Sequence, residues 1–219
     1  MLFRSGPDDR PRGRRTPPPG DGADGRPAGG DRETALPTEP APARSGRFVL
    51  RSPAFLDRGI FPVEFTGDGT SASPPLEWSG APKDTRSYAI IMHHFDREGR
   101  AKWYWTLYNI PPDVHSLSKN VQDVGTLGNN GINHRVGYAP PHSKGPGAKT
   151  YILTAYALSA PLSIARPPAD VSRDVLLSAM KDLILDSAEL RVVYERTGIL
   201  NGPGAPDRPR RRDDAKAPR

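Results

Sequence analysis

The chain has 219 residues, 31 Lys/Arg against 25 Asp/Glu, a formal net charge of +6 and no cysteine. That composition excludes disulfides, thiolate chemistry and Cys-ligated zinc. No apolar run reaches the roughly 18 residues that a spanning helix needs, and the opening MLFRSGPDD lacks the apolar core of a signal peptide. The sequence as written therefore reads as cytoplasmic, and as exported if the start codon is misassigned.

Residues 1–46 hold nine Pro and eight Gly, and after Phe3 their only large apolar residue is Leu36. Such a stretch cannot bury enough apolar surface to offset its ordering entropy, so disorder is expected. Its eight Arg stand against seven Asp/Glu, a balance that argues against specific nucleic-acid binding. Residues 198–219 are similar, with six basic and three acidic residues, so half of the net charge lies there. The cluster Arg208, Arg210, Arg211 and Arg212 reads as part of a solvated basic tail. The span 47–197 carries 17 Lys/Arg and 15 Asp/Glu. A domain of that size buries roughly 70% of its unfolded surface and folds alone.

Within that span, Phe48–Leu50 and Val63–Thr66 read as short strands. SASPPLEWSGAP (71–82) is a Pro-rich turn region, with Trp78 plugging the core beside it. Tyr88–Met92 is an apolar run with little alternation, as in a central strand covered on both faces. Trp103–Ile110 and Tyr151–Leu158 are rich in β-branched and aromatic residues and read as strands. Between Pro111 and Thr150 lies a long loop whose anchors are Val121, Val124, Leu127, Ile132 and Val136. It ends in GYAPPHSKGPG, a composition suited to backbone approaching a ligand. Residues 172–186 predict one helix, with Ser172 as N-cap, Asp174 in the first turn and Leu176, Met180, Leu183 and Ile184 on one face. Glu189–Arg196 alternates like a last strand. Six strands and one helix favour a β-rich sandwich.

Three strands end beside polar groups. His93 and His94 are neighbours, so at most one joins Asp96 in a cleft, and His94 shares a face with Asp96. Alternation sets Tyr104 on the face opposite Trp103 and Trp105, the Trp pair reading as core. Lys149 and Tyr151 share a face. A zinc site from His94, Asp96 and His142 is chemically conceivable, but the spacing is not tight and no metal or other cofactor is assigned. Ser143 beside His142 makes no triad, because triad members meet in space rather than in sequence. No catalytic residue is named, and a hydrolase is only the third reading.

At these residues the chain resembles the phosphatidylethanolamine-binding protein family, especially its bacterial Raf-kinase-inhibitor-like members. The resemblance spans about 47–197. It rests on SPPLEWSGAP (73–82), HHFDREG (93–99), WYWTLYNIP (103–111), GYAPP (137–141), KTYILTAYAL (149–158) and a late helix followed by ELRVVYER. It implies a mostly β fold, an antiparallel β-sandwich with few peripheral helices, and a small anion pocket at one end. The implied ligand-binding residues are His94, Asp96, Tyr104, Pro140, His142, Lys149 and Tyr151, with the 137–147 loop as rim. The family's Asp-Pro-Asp corresponds to His94-Phe95-Asp96, its Trp-His-Trp to Trp103-Tyr104-Trp105, and its His-Arg-Tyr to Lys149-Thr150-Tyr151. Losing one Asp and gaining one Lys shifts the pocket's charge by about +2 at neutral pH. The expected function is a soluble binding protein for a phosphate-like or carboxylate group. The expected partner is a small anionic ligand or phosphorylated group, without specific nucleic acid. The competing class is an interaction or inhibitor module that grips a protein partner with the pocket rim.

Overall fold

The computed structural model describes residues 47–142 and 147–196. The expectations for 1–46 and 198–219 concern residues outside that range. Among the described residues nine strands form: β1 (Val49–Arg51), β2 (Gly59–Ile60), β3 (Leu76–Ser79), β4 (Ser87–Phe95), β5 (Ala101–Ile110), β6 (Ser116–Leu117), β7 (Thr126–Leu127), β8 (Lys149–Leu158) and β9 (Ile184–Tyr194). An α-helix, α1 (Arg173–Met180), lies between β8 and β9. One sheet has the order β1-β3-β6 and the other β2-β9-β8-β4-β5-β7. All pairings are antiparallel except β2 with β9.

The main core lies between the sheets. Leu50, Leu76, Trp78 and Leu117 from the small sheet meet Ile90, Met92, Trp105, Leu153 and Leu190 from the large one. A second core lies on the other face, where Ala89, Ile91, Tyr108 and Tyr156 pack with Leu176, Leu177 and Met180 of α1. This double cover explains the unbroken apolar run of β4: even positions face one core and odd positions the other. Burying each large side chain contributes about 1.5–3 kcal/mol before ordering costs.

Four expectations from the sequence are corrected. Val63–Phe65 is a 3-10 turn rather than a strand. The helix stops at Met180, and the strand expected from Glu189 already begins at Ile184. Leu183 and Ile184 fit helical spacing, but Ile184 pairs with Leu158 and Ser159 N–H donates to Leu183 O. Pairing along β8 therefore overrides the local period. The helix start is as read, since Ser172 Oγ accepts from Val175 N–H at 3.3 Å.

The long loop keeps three of its five expected apolar anchors: Val121 is buried in the main core, and Val124 and Leu127 pack against it. Ile132 and Val136 are exposed. Instead Asn130, 1% exposed, bridges the segment with its amide. Its Nδ2 donates to Asn133 Oδ1 and to Arg135 O, both at 2.9 Å, while its Oδ1 accepts from Ile132 N and Asn133 N. Asn129 Nδ2 donates to Ala169 O at 2.7 Å.

The fourth correction concerns side-chain direction in β5. Met92 pairs with Trp105 and His93 with Trp103, so Tyr104 is the extra residue of a β-bulge. A bulge breaks strict alternation. Tyr104 and Trp105 both enter the core between the sheets. Trp103 lies outside that core; its indole donates to Asn129 O at 3.2 Å and its ring lies against Gly131.

Candidate functional site

The strand ends of β4 and β8 frame a groove of about 640 Å³, lined by His94, Phe95, Asp96, Lys102, Lys149 and Thr150 among others. His94 leans on the ring of Tyr151, with centroids 5.4 Å apart, and its Nδ1 lies 3.3 Å from Thr150 O. His93 does not line this groove; it is buried and edge-on to Phe95. Burial lowers the His94 pKa below the usual 6.5, and the Lys149 and Lys102 charges add to that. The Thr150 carbonyl and Asp96 oppose it.

Asp96 serves the turn that joins β4 to β5. Its Oδ1 accepts from Glu98 N–H at 3.1 Å and Arg100 N–H at 2.9 Å. Its Oδ2 accepts from Arg100 Nε at 3.1 Å and lies 3.7 Å from Lys102 Nζ. Burial alone would raise its pKa, but the Arg100 and Glu98 hydrogen bonds and the Arg100 charge outweigh it and hold it low. Lys149 also lines the groove, and no carboxylate pairs with it among the described residues.

Behind the groove lies a tyrosine cluster. Tyr151 is fully buried and meets Tyr104 edge-on at 5.1 Å. Burial pushes both phenols up; the Tyr104 hydroxyl pushes Tyr151 further up, while Tyr151 tempers the rise of Tyr104. The hydroxyls thus influence each other, yet that of Tyr151 has no partner in hydrogen-bond geometry. Tyr138 packs edge-on against Trp105 and donates to Phe65 O at 2.5 Å.

The described part of the rim is tied across these groups. Ala139 N–H donates to Tyr104 O at 2.7 Å, and Gly67 N–H donates to Pro141 O at 2.8 Å. Pro140 sits between those two ties, half-buried. His142 Nδ1 lies 3.5 Å from Asp68 Oδ1. His142 is thus grouped with Asp68 rather than with His94 and Asp96. Among the described residues no three His, Cys, Asp or Glu side chains gather at metal-binding distance.

Sequence reasoning missed the group that holds this rim. Asp68 accepts from the Tyr194 hydroxyl and lies 3.0 Å from Arg196 Nη2. The Tyr194 hydrogen bond does most to lower the Asp68 pKa, with Arg196 and His142 assisting against burial. A Cβ on Gly67 would stand 2.5 Å from His142 Nδ1, so this close approach needs glycine. Asp68 and Arg196 are 128 positions apart, and no local pattern in the sequence links them.

The structure therefore gathers His94, Asp96 and Lys149 on one groove, with Tyr151 and Tyr104 in ring contact behind it and His142 at the rim tie to Asp68. Among the described residues no helix is long and apolar enough to cross a membrane.

Residues 51–195 match the family model described as phosphatidylethanolamine-binding protein. A UPF0098 protein of Methanothermobacter thermautotrophicus is 35% identical over 152 residues, covering 67% of this chain and 98% of that one. A lipoprotein-named relative of Mycobacterium tuberculosis, LppC, is 30% identical over 132 residues, covering 60% of this chain and 64% of that one. Among solved structures, the phosphatidylethanolamine-binding protein homologue CT736 of Chlamydia trachomatis superposes with a TM-score of 0.63 at 30% identity, covering 69% and 99% of the two chains. Escherichia coli YbcL gives 0.61 at 22% identity, covering 68% and 99%, which speaks to the fold alone. With the sandwich, the strand-end groove and a family match across two-thirds of its length, the chain belongs to the phosphatidylethanolamine-binding protein family.

Proposed function

We propose that the groove at the ends of β4 and β8 binds a small anionic group, phosphate-like or carboxylate, with Lys149 supplying the positive charge. Family membership supports a binding role rather than catalysis. The observation that carries the anion reading is the division of labour between two charges. Asp96 is occupied by its own hairpin, whereas Lys149 faces the groove with no carboxylate partner among the described residues. A charge-assisted hydrogen bond from such an ammonium is among the stronger polar contacts available. Tyr151, whose hydroxyl is buried without a partner, is a further donor beside it if the His94 ring moves.

Calorimetric titration of the full chain with inorganic phosphate, acetate and their neutral isosteres tests this reading. Saturable binding of the anions but not the neutral compounds is expected. Absence of saturable binding to any anion, together with retention of a protein by the same rim, favours the interaction-module reading. Turnover of a phosphate or carboxylic ester that survives His142→Ala and fails with Lys149→Ala would instead move the groove to catalysis.

The cytoplasmic location read from the sequence stands as part of this proposal. The lipoprotein name of the mycobacterial relative favours export instead, and fractionation of cells carrying the tagged full chain separates the two.

A further inference from the structure

The groove at the ends of β4 and β8 has an apolar wall as well as a charged one. His94 and Phe95 are neighbours on β4, so their side chains leave opposite faces of the sheet. His94 leans on Tyr151, on the side of the main core. Phe95 lies on the outer side with His93, whose ring it meets edge-on at 4.9 Å. His93 pairs with Ile152 across the two strands, which sets Ile152 on that outer side too. Phe95 and Ile152 both line the groove, together with His94, Lys102 and Lys149. The groove therefore turns over the end of the sheet, from a cationic side to an apolar one.

Packing does not account for these two apolar side chains. The second core gathers Ala89, Ile91 and Tyr156 of the outer face under α1, and neither Phe95 nor Ile152 belongs to it or to the main core. Phe95 is 43% exposed and Ile152 is half-buried. One exposed apolar side chain is ordinary. Two of them, lining one concavity with a few charged groups, have the composition of a ligand site. Phe95 is also held in place. It closes β4 just before a hairpin turn in which Asp96 N–H donates to Arg100 O and Gly99 N–H to Asp96 O, both at 3.0 Å. Buried His93 packs against its ring. A surface fixed in this way costs little to order on binding. Size points the same way. The groove holds about 640 Å³, within the roughly 300–1,000 Å³ of sites for organic ligands. Inorganic phosphate or acetate would leave the apolar wall bare.

We propose that the ligand of this groove is an amphiphilic anion, with its charged group at Lys149 and Lys102 and an apolar group of about ring size against Phe95 and Ile152. The chemical class is an aryl or short alkyl phosphate or carboxylate. This rests on the anion reading above and adds to it that Phe95 selects among anions. A ring gains from the Phe95 contact beyond the area it buries.

Calorimetry on the full chain tests this with methyl phosphate, phenyl phosphate and phenol at about pH 8, where phosphate monoesters are dianions. Phenyl phosphate is expected to bind roughly tenfold tighter than methyl phosphate, from the apolar area and ring contact it adds. Phenol should show no saturable binding. The ratio of the two ester affinities reads the apolar wall alone, because a loss at the charged end lowers both. Phe95→Ala should bring that ratio to within about twofold, and Phe95→Leu should keep part of it. Ile152→Thr, which keeps a β-branched residue in the strand, should also reduce it. Lys149→Met should instead lower both affinities together. Equal affinity for the two esters overturns the amphiphilic ligand and leaves the anion reading standing. So does a preference for phenyl phosphate that survives both Phe95→Ala and Ile152→Thr. Absence of saturable binding of either ester overturns both readings, and so does phenol binding as tightly as phenyl phosphate.

Discussion

Lys149 and Asp96 share a groove, yet their surroundings assign them different work. Lys149→Met should weaken phosphate binding by about 1.5–3 kcal/mol, the usual worth of a hydrogen bond to a charged group. Asp96→Asn should not weaken it comparably, because that carboxylate repels an anion and is spent on Arg100, Glu98 and the turn. Its cost should instead appear in the stability of the hairpin. Equal loss of affinity in both variants would point to a ligand held by shape. His94 sets the pH behaviour. Burial keeps its folded pKa below 6.5, so the free protein holds it neutral at pH 7. An anion nearby favours the imidazolium and raises that pKa on binding. Affinity for sulfate, whose own charge is constant over the range, should therefore rise as pH falls toward the lowered His94 pKa and level off well above it. His94→Gln should flatten the profile. The linkage sign for folding is the opposite: the unfolded chain takes up the proton first, so His94 lowers stability as pH falls below 6.5. At this scale the sequence indicates which residues carry chemistry but not their company. Face parity and the family pattern bring His94, Lys149 and Tyr151 to one region. Asp68, Tyr194 and Arg196 are invisible as a group, because only the folded chain brings Asp68 to the end of β9.

Among the elements, legibility followed periodicity. β4, β5 and β8 are long, apolar and bounded by turn residues, and the sequence reading falls within a few residues of their ends. The misreadings have specific physical causes. A bulge after Met92 reverses the direction expected for Tyr104, and no local residue signals it. Leu183 and Ile184 satisfy a helix pattern and a strand pattern at once, and pairing with β8 decides between them. In the long loop Val121, Val124 and Leu127 anchor as read, but Asn130, its amide filled with backbone partners, takes the place of Ile132 and Val136. Helix α1 covers the sheet face away from the small sheet, packed on Ala89, Ile91 and Tyr156. Its role is therefore separable from the groove. Leu176→Ala removes a fully buried side chain there and should cost about 2–5 kcal/mol in urea unfolding. Ser172→Ala, which removes the cap, should cost about 1 kcal/mol. Neither should change anion affinity at a temperature where the protein is folded. A parallel loss of affinity in Leu176→Ala would mean that the strand ends depend on the helix for their placement.

For the whole molecule, composition divides the chain near residues 47 and 197, a division that proteolysis tests. The model match runs from 51 to 195, close to the 47–197 limits read from Pro, Gly and apolar content. Both long cores are built within that span, from β1 through β9. The eight Arg of residues 1–46 offer trypsin many sites, and cleavage rates there report how each part of the segment is held. If residues 1–32 take no part in the fold, cuts up to Arg32 should be fast and should leave the melting temperature unchanged. The end product should be a stable fragment near 47–197, with the basic tail lost independently. Mass spectrometry over a time course resolves these steps. A fall in melting temperature on loss of residues 1–32 alone would show that they pack on the sandwich, and would refute the division drawn from composition.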